Sequence, residues 1–195
     1  MNKYTDEYLQ DHELGFWLGG YQAPLLHANY YQQFFNFEEL NNKKVVEVGC
    51  GGSPVTEYNS ISPKLTLVDP LLNKLLEYDK FKHLSKYEIF SISLLDFQKK
   101  GFDYAVCLNC IDHFNDPECL FVDKFWDSLN KGGELWLYYD VRSKDENDHL
   151  ALDHDKIIEK IQNKFDIKKI DFTTNPTHAG WGSLYKSVRL IASKK

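Results

Sequence analysis

Short apolar runs separated by amphipathic stretches set the pattern of the chain from residue 43 onward. Lys44–Val48 is rich in β-branched residues and stops at Gly49, which predicts a buried strand. Leu65–Val68 predicts a second, ended by Asp69-Pro70. A helical stretch follows, with Leu71, Leu72, Leu75, Leu76 and Tyr78 at three- and four-residue spacing. Tyr87–Ile92 and Asp103–Leu108 read as strands three and four. The next helix is marked by Asp116 as N-cap, Pro117 at the first helical position and Glu118 on the positive end of the dipole. Phe121, Val122, Phe125, Trp126 and Leu129 form its apolar face, and Gly132-Gly133 is the expected stop. Glu134–Val141 is a fifth strand, and Asp153 or Asp155 caps a helix through Ile157, Ile158, Ile161 and Phe165. Ile167–Phe172 and Leu184–Ala192 complete the pattern as strands six and seven.

Strands alternating with helices predict a parallel sheet covered on both faces, joined by right-handed crossovers. No helix separates the last two strands, so one antiparallel member is expected at an edge. The fold class is therefore α/β: a doubly wound, Rossmann-like, seven-stranded sheet. Residues 1–40 differ from the rest, being crowded with aromatics (Tyr4, Tyr8, Phe16, Trp17, Tyr21, Tyr30, Tyr31, Phe34, Phe35, Phe37) and containing a predicted helix from Pro24 to about Leu40. The expected organisation is an N-terminal helical cap or lid over 1–40 and a ligand-binding domain over 41–195.

Composition narrows the function. A chain of 195 residues, 43% hydrophobic and 27% charged, can bury one core and is not a disordered segment. With 23 Lys and Arg against 29 Asp and Glu, the net charge is −6, which does not provide the basic footprint that grips a phosphate backbone. No nucleic-acid partner is expected. No apolar run approaches the ~20 residues that span a bilayer, and the first residues are too polar for a signal peptide. The expectation is a cytoplasmic protein without a membrane partner, monomeric or homodimeric. Cys50, Cys107, Cys110 and Cys119 are then reduced thiols. Cys107 and Cys110 form a C-x-x-C, but no second pair completes a zinc site, so no metal is expected.

The chemistry is concentrated in loops at the carboxyl ends of the strands. Glu47-Val48-Gly49-Cys50-Gly51-Gly52 is a strand running into clustered glycines, which let the chain turn sharply and a ligand approach the bare backbone. Asp69, at the end of the second strand, can accept hydrogen bonds from both hydroxyls of a ribose. The third glycine of a dinucleotide fingerprint is replaced by Pro54, which moves the reading from a dinucleotide toward a nucleoside without phosphates.

On these residues the chain resembles the class I S-adenosylmethionine (SAM) dependent methyltransferases. The match comprises Glu47, Gly49, Gly51 and Asp69, the segment 102–117 as fourth strand and following loop, and the helix-Gly-Gly-strand junction at 129–138. It covers about residues 43–192. The resemblance implies that Glu47 and the Gly49, Cys50, Gly51 and Gly52 backbone hold the methionine part of the cofactor, and that Asp69, beside Pro70, takes the ribose. Ser91 and Ile92 would flank adenine, and Asn109 would approach the methionine amino group. Two departures are informative. Many members place an aspartate near position 91, whereas this chain has Ser91 there and Asp96 further on. The Asn-Pro-Pro-Tyr-like motif of enzymes that methylate base amines is replaced by Asn109-Cys110-Ile111-Asp112.

Methyl transfer from a sulfonium needs an in-line nucleophile and exclusion of water, and a base only when the acceptor holds a proton. His149, after the fifth strand, is the first candidate for base or acceptor contact, and His113, after the fourth, the second. His178 and Trp181 lie in the long connection before the last strand. Trp17, Tyr21, Tyr30 and Tyr31 could close over a cationic sulfonium, with Gly15 and Gly19-Gly20 as hinges. The expected function is methyl transfer to a small molecule, with a saccharide or metabolite hydroxyl favoured. The alternatives are an NAD(P)-dependent oxidoreductase and a SAM-binding domain without turnover.

Overall fold

The structure is a computed structural model that describes residues 6–19, 30–59, 64–141, 150–174 and 186–195. Helix α1 (Asp6–Leu18) precedes β1 (Lys44–Val48), α2 (Val55–Asn59), β2 (Lys64–Val68) and α3 (Leu72–Leu75). Then come β3 (Glu88–Phe90), β4 (Phe102–Leu108), α4 (Leu120–Ser128), β5 (Leu129–Val141), α5 (His154–Lys164), β6 (Phe165–Thr174) and β7 (Lys186–Lys194). The strands form one seven-stranded sheet in the order β3-β2-β1-β4-β5-β7-β6. From β3 to β5 all neighbours are parallel. β7 runs against both of its neighbours, β5 and β6. Among the described residues the single antiparallel strand, β7, thus lies one place in from the edge, and β6, reached from β5 through α5, is the edge strand itself.

Both faces are covered, which explains why the central strands are apolar runs rather than alternating ones. On one face Val46, Val48, Ala105, Cys107, Leu135 and Leu137 pack under Phe121, Val122 and Phe125 of α4 and Ile157 and Ile161 of α5. On the other, Val45, Leu65, Leu67, Val106, Trp136 and Tyr138 meet Leu72 and Leu75 of α3 together with Tyr30, Tyr31, Phe34, Phe35, Phe37 and Leu40. Phe35 stacks on Trp136 with ring centroids 5.4 Å apart and planes at 25°. The described part of the aromatic N-terminal region therefore divides: Tyr30, Tyr31, Phe34, Phe35, Phe37 and Leu40 are core, whereas α1 packs against that cluster through the partly buried Leu14, Trp17 and Leu18. Of the helix expected from Pro24 to Leu40, the described part is helical at 30–32 and again, as a 3₁₀ turn, at Phe37–Leu40.

The helix after β4 differs from expectation at both ends. Cys119 adopts φ 52°, a left-handed conformation that interrupts any helix begun at Pro117, so α4 starts at Leu120. Asp116 still serves the helix start, its Oδ2 accepting from the Phe121 N–H at 2.8 Å. At the far end α4 stops at Ser128 rather than at the glycines. Strand pairing resumes at Leu129 opposite Phe102, and Tyr104 then faces Glu134, so residues 130–133 are accommodated as an irregularity of β5. Lys194 Nζ donates to the carbonyls of Trp126 (2.6 Å) and Leu129 (2.8 Å), satisfying acceptors that the end of α4 leaves open.

Candidate functional site

Strands β2 and β3 are laid down to one side of β1, and β4 and β5 to the other, so the order reverses between β1 and β4. At such a switch point the loops leaving the carboxyl ends diverge and open a crevice. The loop leaving β1 is bent by two left-handed glycines, Gly49 at φ 69° and Gly51 at φ 51°. The Gly49 N–H donates to the Val68 carbonyl at 2.9 Å, which holds the loop against the end of β2.

Side chains from three distant segments press on this loop. A Cβ on Gly49 would fall 2.3 Å from Cys110 Sγ, one on Gly51 2.2 Å from the Trp17 indole, and one on Gly52 2.3 Å from the Phe81 ring. The glycines are thus required by close approach as well as by backbone angle. In this conformation the groove over Gly51 and Gly52 is filled by Trp17 and Phe81.

Asp69 closes the β2 side. Its Oδ2 accepts from the Gly51 N–H and its Oδ1 from the Leu71 N–H, each at 2.8 Å, so one carboxylate ties the glycine loop to the start of the segment after β2. Burial raises its pKa, opposed by those two N–H donors and by the charge of His113. A carboxylate offers about four acceptor positions, so two remain for further donors. Glu47 is turned differently. Its Oε1 accepts from the Val55 N–H (2.7 Å) and its Oε2 from the Thr56 N–H (3.1 Å) and hydroxyl, so it caps α2. Burial pushes its pKa from 4.5 to about 7 despite these three donors.

On the β3 side, Ser91 Oγ donates to the Pro70 carbonyl (2.9 Å) and accepts from the Asn73 N–H (3.0 Å), joining the ends of β2 and β3. Ile92 is partly buried against the core. On the β4 side, Asn109 takes the left-handed φ of 61°, and its N–H donates to the Tyr138 carbonyl at 2.9 Å. Its Oδ1 is buried without a hydrogen-bond partner among the described residues. Cys107 and Cys110 lie to either side in sequence with their sulfurs 3.1 Å apart. The hydrogen bond to Cys107 and burial push the Cys110 thiol up, and burial likewise raises Cys50, next to Asp69 and Glu47. These are protonated packing thiols. Among the described residues, no three His, Cys, Asp or Glu side chains converge as a metal site would require.

The structure brings Trp17, the glycines, Asp69 and His113 to one edge. His113 Nε2 lies 3.5 Å from Glu13 of α1. It places Tyr30 and Tyr31 elsewhere, edge-on to Tyr138 at 5.9 and 5.1 Å, within the core under β5. Tyr21, His149, His178 and Trp181 lie outside the described residues. Three contributors escaped the sequence reading: Phe81, Glu13 and Lys80, whose Nζ donates to the carbonyls of Trp17 (2.7 Å) and Leu18 (3.1 Å). Phe81 meets Gly52, Glu13 meets His113 and Lys80 meets the end of α1, each pairing far apart in sequence, and no local pattern marks them.

Residues 22–171 match the family model described as a methyltransferase domain. No curated protein matches the chain in sequence. Among solved structures, the N-methyltransferase NodS from Bradyrhizobium japonicum WM9, crystallised with S-adenosyl-L-homocysteine, superposes with a TM-score of 0.63 at 15% identity, over 85% of this chain and 86% of that one. Geranyl diphosphate C-methyltransferase from Streptomyces coelicolor A3(2) gives 0.65 at 10% identity, over 87% and 76%. A SAM-dependent methyltransferase from Methanosarcina mazei gives 0.62 at 12%, over 78% and 92%.

Proposed function

Because the chain belongs to the methyltransferase domain family, we propose that it uses SAM to methylate a small molecule, with a saccharide or metabolite hydroxyl as the favoured acceptor. The observation that carries this reading is the Asp69 carboxylate, held at the end of β2 by the Gly51 and Leu71 amides. It leaves acceptor capacity for a diol directly beside main chain that carries no Cβ. Asn109 supports it, since its buried Oδ1 has no hydrogen-bond partner among the described residues and suits an ammonium donor.

Asp69 would hold the ribose, the 49–52 main chain and Asn109 the amino-acid tail, and Ser91 with Ile92 the base. Bound SAM supplies an electrophilic methyl group on a sulfonium. The protein's own contribution is to orient that group, exclude water and, for a hydroxyl acceptor, accept a proton. His149 is the proposed residue for that last task, and His113 the described histidine at the same edge. The methyltransferase neighbours named above include ones that carry small-molecule names or ligands, which favours an acceptor of that size. Among the described residues no helix is long and apolar enough to cross a membrane.

Calorimetric titration with S-adenosylhomocysteine, SAM and NADH tests the reading. The two sulfur nucleosides should bind and NADH should not. Asp69→Ala should weaken binding by about 1–3 kcal/mol through the lost charged hydrogen bonds, with far-UV circular dichroism unchanged. Binding of NADH alone, or equal affinity in the variant, would refute it. His149→Ala should lower turnover against a pool of acceptors while leaving S-adenosylhomocysteine affinity intact; undiminished activity removes it from the site.

A further inference from the structure

Trp17 lies flush on the one stretch of main chain that the cofactor reading needs bare. Its Cε2, Cζ2 and Nε1 stand 2.2–2.3 Å from the place a Cβ on Gly51 would occupy. An indole and a nucleoside cannot share that space. The residues that hold α1 there come from the rim of the same groove. Lys80 Nζ caps the end of α1 through the Trp17 and Leu18 carbonyls, and its neighbour Phe81 covers Gly52. Glu13 faces His113 beyond β4, and Asp11 pairs with Lys74 of α3 at 3.3 Å.

The docking itself is weak by construction. Of the residues of α1 whose burial is described, Leu9 alone is fully buried, with Leu14, Trp17 and Leu18 only partly so. The Lys74–Asp11 pair is about half exposed on both partners, so screening and side-chain entropy remove most of its value. Gly15 sits inside the helix with nothing among the described residues within 4 Å of where its Cβ would be. A glycine there loosens the helix and makes no contact that requires it.

We propose that α1 is a built-in competitor for the cofactor groove: Trp17 occupies Gly51 until α1 leaves, and the docking equilibrium of α1 sets the apparent affinity for the nucleoside. The inference rests on the SAM reading of the groove. A ligand that binds only the undocked state has its affinity reduced by the fraction of molecules in that state. Two substitutions therefore act in opposite directions. Trp17→Ala removes the competing ring and should tighten S-adenosylhomocysteine binding about tenfold. Gly15→Ala strengthens the helix without touching any neighbour, favours docking and should weaken binding about fivefold.

The experiment is calorimetric titration of S-adenosylhomocysteine into the wild type and the two variants. Stopped-flow tryptophan fluorescence runs alongside, with Trp17→Ala as the blank for the Trp17 signal. Opposite shifts of the two affinities, with a ligand-induced change in fluorescence that is lost in Trp17→Ala, support the proposal. Weaker binding in Trp17→Ala would make the indole part of the binding wall and overturn it, as would equal affinity in all three proteins. No binding in any of them, with unchanged circular dichroism, overturns the SAM reading itself and this proposal with it.

Discussion

Both oxygens of Glu47 are committed to the first turn of α2, yet burial still holds its pKa near 7, up from 4.5. The sign of the consequence follows from linkage. The unfolded chain releases this proton near its ordinary value, while the folded protein keeps it until about pH 7. The stabilising contribution is complete below about pH 4.5 and is lost as pH rises through 7. Urea unfolding at pH 5 and pH 8 should show a decline on the order of 3 kcal/mol attributable to this group, and Glu47→Gln should flatten it. A slope unchanged in the variant would locate the effect elsewhere. At this scale Glu47, Gly49, Gly51 and Asp69 were legible because they fall within one strand-loop-strand unit. Cys110, Trp17 and Phe81, which make the three glycines sterically necessary, were not legible as a set, since folding alone brings their segments together.

Elements were legible in number and order wherever an apolar run was long, and least so at their ends. Asp153 and Asp155 were equal candidates to cap the helix after β5. The structure selects Asp153, whose side chain accepts from the Lys156 N–H at 3.1 Å. Asp153→Ala should therefore cost about 1 kcal/mol of stability in thermal or urea unfolding. Asp155→Ala, which removes only a charge from the first turn, should cost about 0.3–1 kcal/mol at low salt and less at high salt. The reverse ranking would mean the cap is misassigned. The Gly132-Gly133 signal was a true backbone signal attributed to the wrong element. Gly132 takes φ 75°, but inside the entry of β5, because pairing of Leu129 with Phe102 ends the helix three residues earlier. A left-handed glycine reports the turn of the chain, not which element is turning.

For the molecule as a whole, the alternation of strands and helices was enough to give the doubly wound sheet, and the switch point then located the groove. The expectation of a helical cap or lid over residues 1–40 rested on aromatic content, which does not distinguish a cover from a core. Phe35, only 1% exposed and stacked on Trp136, belongs to the core. Phe35→Ala should cost about 3–5 kcal/mol of global stability, whereas Trp17→Ala, at a partly buried position on α1, should cost far less. Equal losses by urea unfolding would show that the region is energetically one piece.

The position of β7 has a consequence for how the molecule is made. Because β7 is inserted between β5 and β6, β6 has no strand beside it until β7 arrives, and β5 keeps one side bare through all of α5 and β6. On the ribosome, then, the sheet cannot be completed in the order of synthesis. The nascent chain must carry an unpaired edge until residues 186–194 have emerged from the exit tunnel, an interval in which that edge is open to pairing with other chains.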